Sequence, residues 1–421
     1  MRTLAKYSLM AMLLAVASGA AAADIEFGGY ARAGVGLAAG GGGQVCFGLA
    51  GADTKYRLGN ECDYVIEPQF TSRFVKLEDK SAWGIVVMPG LYRTWSNVNS
   101  GADDTFFANL PAEWRQLYFF GENVPQLAGG RVWGGRRYYD RLQTGINDQF
   151  LENEDGDGAG VEDMNVGVGK LSIAFLMNPN DESHPVPGAN LAPFKLTTRL
   201  TGIQTVTDGA LQLWAGYYGA SVSDDVSDPT APVSIDKPDA MVRGAVYHTL
   251  GNVLYGSNLV GAKLEYGKNH QLWRVVLQQG SYFASARTAV DFIAEYRSVK
   301  NRADSDADWV KSDWFTVGAR TDTQISGPFR FLLEAGLDRV SPDEGDAQQL
   351  VKATACLAIS AGTEAGSRPT FRLFYTHAFW NDAAQGAGGV YDHWQSGTRL
   401  AQIYGDATSG GSFGIQAEAW W

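Results

Sequence analysis

Three aromatic residues of this chain fall where a bulky ring is out of place. Across 412–421 the side chains alternate. Phe413, Ile415, Ala417, Ala419 and Trp421 share one parity; Ser412, Gly414, Gln416, Glu418 and Trp420 share the other. A strand so patterned has one apolar face and one polar face, which puts Trp420 on the polar side. Over 371–380, Trp380 shares a face with Arg372 and Thr376, opposite Phe371, Leu373, Tyr375 and Phe379. Near the N-terminus, Tyr30 shares a face with Glu26 and Arg32, opposite Ile25 and Phe27. Over 63–70, Asp63, Val65, Glu67 and Gln69 oppose Tyr64, Ile66 and Phe70. Rings beside guanidiniums and carboxylates supply non-covalent chemistry: flat surfaces for stacking, with hydrogen-bond donors and acceptors at their edges.

Covalent and metal chemistry are poorly supplied. The five histidines are His184, His248, His270, His377 and His393. His377 has the apolar parity, and no Gly-x-Ser-x-Gly elbow occurs, so a Ser/His/acid hydrolase is disfavoured. The acidic run 152–158 lacks the EF-hand spacing and its bidentate Glu, and reads as a solvated or constriction loop. The glycine run 40–43 follows no strand–helix context, so it is not a phosphate loop. The three cysteines have no zinc spacing. Cys46 and Cys62 lie 16 residues apart around a Gly-rich stretch, which predicts a loop-closing disulfide in an oxidising compartment. Cys356 is left over, in the alternating segment 348–358, as a small apolar side chain. No cofactor is expected.

The elements that would position these side chains are strands of an exported chain. Residues 1–23 read as a signal peptide: Arg2 and Lys6, a short apolar core over 9–16, and Ala21-Ala22-Ala23 as cleavage site. The mature domain is then 24–421. The core is too short to span a bilayer, and no run of 18 apolar residues follows. Gly is abundant at 51 of 421 residues, and aromatics make up 12%. Mean hydropathy is slightly polar, −0.17, as when half of each strand faces water. The formal charge is −12, or −14 without Arg2 and Lys6, which argues against nucleic acid as partner. No Pro/Ser-rich linker divides the chain.

Alternating segments bounded by Gly, Asp, Asn or Pro recur. Clear ones are 24–37, 82–93, 113–120, 169–178, 197–206, 209–220, 271–283, 313–321, 328–337, 369–380 and 411–421. Weaker ones lie near 62–70, 130–138, 161–166, 240–249, 260–267, 288–298 and 348–358. The total is about 18, so roughly 16 to 20 strands are expected. Short turns such as Asp208-Gly209 alternate with long polar loops at 38–61, 94–112, 139–160 and 380–400. That alternation is the signature of a transmembrane β-barrel.

Several blocks resemble the maltoporins, sugar-specific porins of Gram-negative outer membranes. They include Phe27-Gly28-Gly29-Tyr30-Ala31-Arg32; Cys46 with Lys55-Tyr56-Arg57-Leu58-Gly59-Asn60-Glu61-Cys62; and the run from Trp133 to Arg141. Gly158 to Asp163, Trp314 to Arg320, Ser367-Arg368-Pro369 and Gln416 to Trp421 also match. The resemblance spans the mature chain and is weak across about 180–300. It implies an 18-stranded antiparallel transmembrane barrel with long extracellular loops, short periplasmic turns and an inward-folded constriction loop. It further implies a homotrimer in the outer membrane, with surrounding lipid, conducting maltose and malto-oligosaccharides by passive diffusion. An aromatic slide is carried over to Tyr30, Trp95, Trp380 and Trp420. A polar track and constriction are carried over to Arg32, Arg57, Glu67, Arg115, Arg141, Asp148 and Phe150.

Three departures stand out. A slide aromatic is expected at position 65, where this chain has Val65; Tyr64 has the wrong parity to replace it. The constriction tyrosine is Phe150, without its hydroxyl. The remaining slide ring, in the weakly matched middle, has no assigned position. The chemistry suits a sugar. Rings stack on pyranose C–H faces, each contact worth about 1 kcal/mol by analogy with aromatic pairs. Arg donors and carboxylates take the hydroxyls, and weak multiple sites permit exit. The alternatives are a porin for another oligosaccharide, or one with little selectivity. A phage- or colicin-receptor role through the long loops is compatible with either.

Overall fold

The computed structural model describes residues 24–52, 55–94, 112–177, 190–224, 234, 237–303, 305–386, 390–392 and 398–421. The expected signal peptide and Trp95 lie outside them. The chain forms eighteen barrel strands. They are β1 (Asp24–Ala38), β2 (Asp63–Lys76), β3 (Ala82–Thr94), β4 (Ala112–Val124), β5 (Gly130–Arg137), β6 (Gly156–Asn165), β7 (Lys170–Met177), β8 (Leu191–Gln204) and β9 (Gly209–Val222). The second half holds β10 (Met241–Val253), β11 (Gly256–Gly267), β12 (His270–Phe283), β13 (Thr288–Asn301), β14 (Val310–Ser326), β15 (Phe329–Pro342), β16 (Gln348–Ser360), β17 (Thr370–Trp380) and β18 (Ser409–Trp420). Each pairs antiparallel with its sequence neighbours, and β18 pairs with β1, so the sheet closes without an edge.

Alternation sets the faces as expected. On β17 the even-numbered residues from Thr370 to Trp380 are buried, whereas Phe371, Leu373, Tyr375 and Phe379 are exposed on the outside. Closure matters because unpaired backbone groups in hydrocarbon would cost several kcal/mol each, on the order of a buried unsatisfied amide. The Asp208-Gly209 turn forms as anticipated: Asp208 has φ 59, and Gly209 N donates to the Val206 carbonyl at 2.9 Å. Both termini of the barrel lie at the short-turn end.

Several strands run longer than their alternating segments, such as β2 to Lys76 and β8 from Leu191, and one long loop is shortened. The loop expected over 139–160 ends earlier, because β6 begins at Gly156. Its first residues, Gly156-Asp157-Gly158-Ala159-Gly160, carry no apolar alternation. Glycine lets them pair closely with β5 and β7 without a side-chain signal. Two small pairings lie inside the barrel circumference: Phe47–Leu49 with Val390–Asp392, and Leu142–Thr144 with Gln149–Glu152.

Candidate channel constriction

Two loops fold into the lumen and meet there. The first runs from β1 to β2 and is closed by a Cys46–Cys62 disulfide, as the spacing predicted. Cys356 is free and buried beside Leu58, Leu332 and Phe374. The segment 55–61 docks on β14–β17, which follow β18 round the wall from β1. Lys352 Nζ donates to the carbonyls of Tyr56 and Leu58, Thr354 Oγ1 to Leu58 at 2.9 Å, and Thr376 Oγ1 to Gly59 at 3.2 Å. Leu58 N donates to Glu334 at 2.9 Å. The Tyr56 ring lies on two glycines paired across strands, Gly318 and Gly336, where any Cβ would fall within 2.2 Å of it. Its hydroxyl meets Thr316 Oγ1 at 2.7 Å.

The second loop, between β5 and β6, is fixed by buried charges. Glu152 takes Arg243 at 3.0 Å and the Tyr247 hydroxyl at 2.7 Å. Glu154 takes Lys195 at 2.6 Å and also Arg243. Asp155 takes Arg141 and the Tyr139 amide. The acidic run is therefore the constriction loop's return arm, clamped to the wall rather than solvated. Asp140 meets Arg199 at 3.1 Å, yet burial outweighs that guanidinium and pushes its carboxyl up to about 6. The two loops also join each other: Lys55 N donates to Asn147 and Arg57 N to Ile146, at 3.0 and 3.1 Å.

Around that junction stand most of the residues the resemblance singled out. Tyr30 donates to Glu418 at 2.9 Å. Arg32 makes a two-pronged bond to Asp63 and reaches Glu61 at 2.5 Å. Arg57 bonds Glu61 at 2.9 Å and stands 3.7 Å from Asp148 and 3.5 Å from Glu418. Burial raises the Glu61 carboxyl, but Arg32 and Arg57 outweigh it and hold it well below the usual range. Glu67 accepts from the Tyr138 hydroxyl at 2.8 Å and faces Arg115 at 3.5 Å. Arg141 lies between the rings of Tyr138 and Phe150, 3.3 and 5.1 Å from their centres.

The aromatic positions differ among themselves. Trp420 is 47% exposed, with the Arg368 guanidinium 3.9 Å from its ring centre. Trp380 keeps the inward parity but is only 5% exposed, packed against Phe47 of the first loop and Tyr404. Trp421 points outward and packs on Phe27, 5.5 Å between ring centres.

Sequence reasoning missed Arg320, Arg368, Arg372 and Asp291, which line a lumen cavity of about 220 Å³ together with Arg57, Glu61, Glu418 and Trp420. Arg372 was on the inward face by parity, beside Trp380, but carried no assigned role. Arg368 lies in a turn, where parity gives no signal. The inward path of the first loop was also missed, because a loop's destination leaves no periodic trace.

A closed antiparallel barrel with a charged lumen narrowed by inward loops defines a porin-type channel of the Gram-negative outer membrane. The chain belongs to the LamB porin family, whose model matches residues 25–421. Among solved structures it is similar to Acinetobacter baumannii OccAB1, at 9% identity over 94% of this chain and 96% of that one, with TM-score 0.49. It is also similar to Pseudomonas aeruginosa OccD3, at 8% identity over 94% and 91%, TM-score 0.48. For outer-membrane expressed OmpT of Vibrio cholerae the values are 10%, 96% and 99%, and 0.44.

Proposed function

We propose that this protein is a passive, saturable channel for maltose and malto-oligosaccharides, working as a trimer. The observation that carries the reading is the lumen row Trp420–Tyr30–Glu67 across β18, β1 and β2, which sets two rings beside a carboxylate. Arg57, Arg372 and Glu418 surround the same space. A glucan's apolar faces would slide on the rings while its hydroxyls exchange among the ions. Trp95, Arg115, Arg141, Asp148 and Phe150 are assigned to the track by family resemblance, and Trp380 belongs to it only where Phe47 and Tyr404 move aside.

The test is single-channel recording in planar bilayers with a panel of sugars. Concentration-dependent block by maltotriose, stronger than by sucrose, is expected. Equal, weak effects of all sugars would sink the reading in favour of a general pore. A second reading, a porin for another oligosaccharide, is favoured by Val65 and by the covered Trp380, which thin the aromatic line. Strong block by a non-maltodextrin alone would select it.

A further inference from the structure

Val65 lies in a row of lumen-facing residues that the strand register defines across four strands. Glu418 pairs with Arg32, Arg32 with Val65, and Val65 with Tyr92 on β3. Directly opposed residues on neighbouring strands share a face, with Cβ atoms about 5 Å apart. Tyr92 thus stands on the lumen wall, one strand beyond Val65. Its parity agrees, since Val86 and Met88 on the same strand are buried inward while Trp83 is exposed outward.

We propose that Tyr92 is a sugar-stacking residue of this channel and supplies the ring that Val65 lacks. The inference rests on the reading of the protein as a glycan channel and deepens it. Tyr92 is half-buried, leaving part of its ring open. Its hydroxyl is beside the Asp63 carboxylate, which Arg32 holds by a two-pronged bond. The Arg115 side chain lies over Gly90, two residues earlier on the same face, and reaches Glu67. A ring on a wall that also carries Arg32, Asp63, Arg115 and Glu67 has the composition a pyranose needs: one apolar surface and both hydrogen-bonding senses nearby. Val65 is buried and presents no ring to this row. Relative to a ring at 65, the stacking surface moves sideways by one strand spacing, about 4.8 Å. The glycan path therefore bends from Tyr30 toward β3 and β4, where Arg115 and Glu67 stand.

The test uses the full-length protein in planar bilayers with maltotriose, reading affinity and exit rate from current noise. Tyr92→Ala is expected to weaken block about fivefold, through faster exit, with little change in sugar-free conductance. Tyr92→Phe should stay within about twofold of the parent, since it keeps the ring. Tyr92→Leu should behave as the alanine variant, because it fills volume without a stacking face. Adding Val65→Tyr to Tyr92→Ala should recover most of the loss by returning a ring to the row. Parent-like affinity in Tyr92→Ala and Tyr92→Leu, or equal losses in Tyr92→Phe and Tyr92→Ala, would overturn the proposal while leaving the channel reading intact. Absence of maltotriose block in the parent protein would overturn both.

Discussion

Trp420 and Trp421 are chain neighbours on opposite sides of one wall. Trp420 borders the lumen cavity beneath Arg368, whereas Trp421 packs on Phe27 at the outer surface. Trp420→Ala should therefore weaken sugar block several-fold, about 1 kcal/mol for one lost stacking surface, while Trp421→Ala should leave block nearly unchanged. The second change should instead loosen the outer-surface packing on Phe27, read as a lower unfolding temperature in detergent. Equal effects of both on sugar block would contradict the assignment of faces. Much at this scale was legible in the sequence. Period-two alternation placed Tyr30, Arg32, Glu67, Trp380 and Trp420 inward, because a closed sheet in lipid enforces parity at nearly every strand residue. Exposure was not legible. Trp380 has the right parity, yet Phe47 arrives from a loop some 330 residues away in sequence and covers it.

The same limit holds for elements. Each of the eighteen strands contains an alternating segment, though β6 opens five residues before its own, and the closing strand was as clear as any. The docking of the first loop was hidden, because it depends on a gap and on side-chain bonds to loop backbone, neither of which leaves a periodic trace. Gly318 and Gly336 face one another on β14 and β15 and form the seat of the Tyr56 ring. Adding a methyl there overpacks a well-filled site, at a cost of about 1–3 kcal/mol. Gly318→Ala should displace Tyr56 and loosen the segment carrying Arg57 and Glu61, so sugar-free conductance should rise and fluctuate while sugar block weakens. Tyr56→Ala alone should do the same by leaving the seat empty. Combined, the two changes should cost much less than their sum, since the alanine methyl then has no ring to meet. Strict additivity in conductance and thermal stability would show that the seat does not hold the loop.

For the molecule as a whole, the lumen is a lattice of paired charges whose members respond oppositely to pH. Glu61 is held ionised by Arg32 and Arg57. Its folded carboxyl lies below its ordinary range, so its contribution is full above that range and is lost only as acid titrates the folded group. Asp140 has the opposite sign. Its carboxyl is raised from 3.8 to about 6 by burial, despite Arg199. The folded protein then binds a proton that the unfolded chain releases, so this site favours the fold below pH 3.8, and the advantage fades as pH rises through about 6. Asp140→Asn, which mimics the protonated acid, should therefore stabilise the protein at pH 7.5 by at most about 3 kcal/mol. The backbone permits the exchange: Asp140 has φ 47, a conformation asparagine tolerates well. At pH 4.5, where the folded carboxyl is largely protonated, the gain over the parent should fall to about 1 kcal/mol. Thermal unfolding in detergent at the two pH values, on parent and variant side by side, measures the difference. A variant less stable than the parent at pH 7.5 would mean that the Arg199 pair outweighs burial, and that the second loop is anchored by that charge rather than in spite of it.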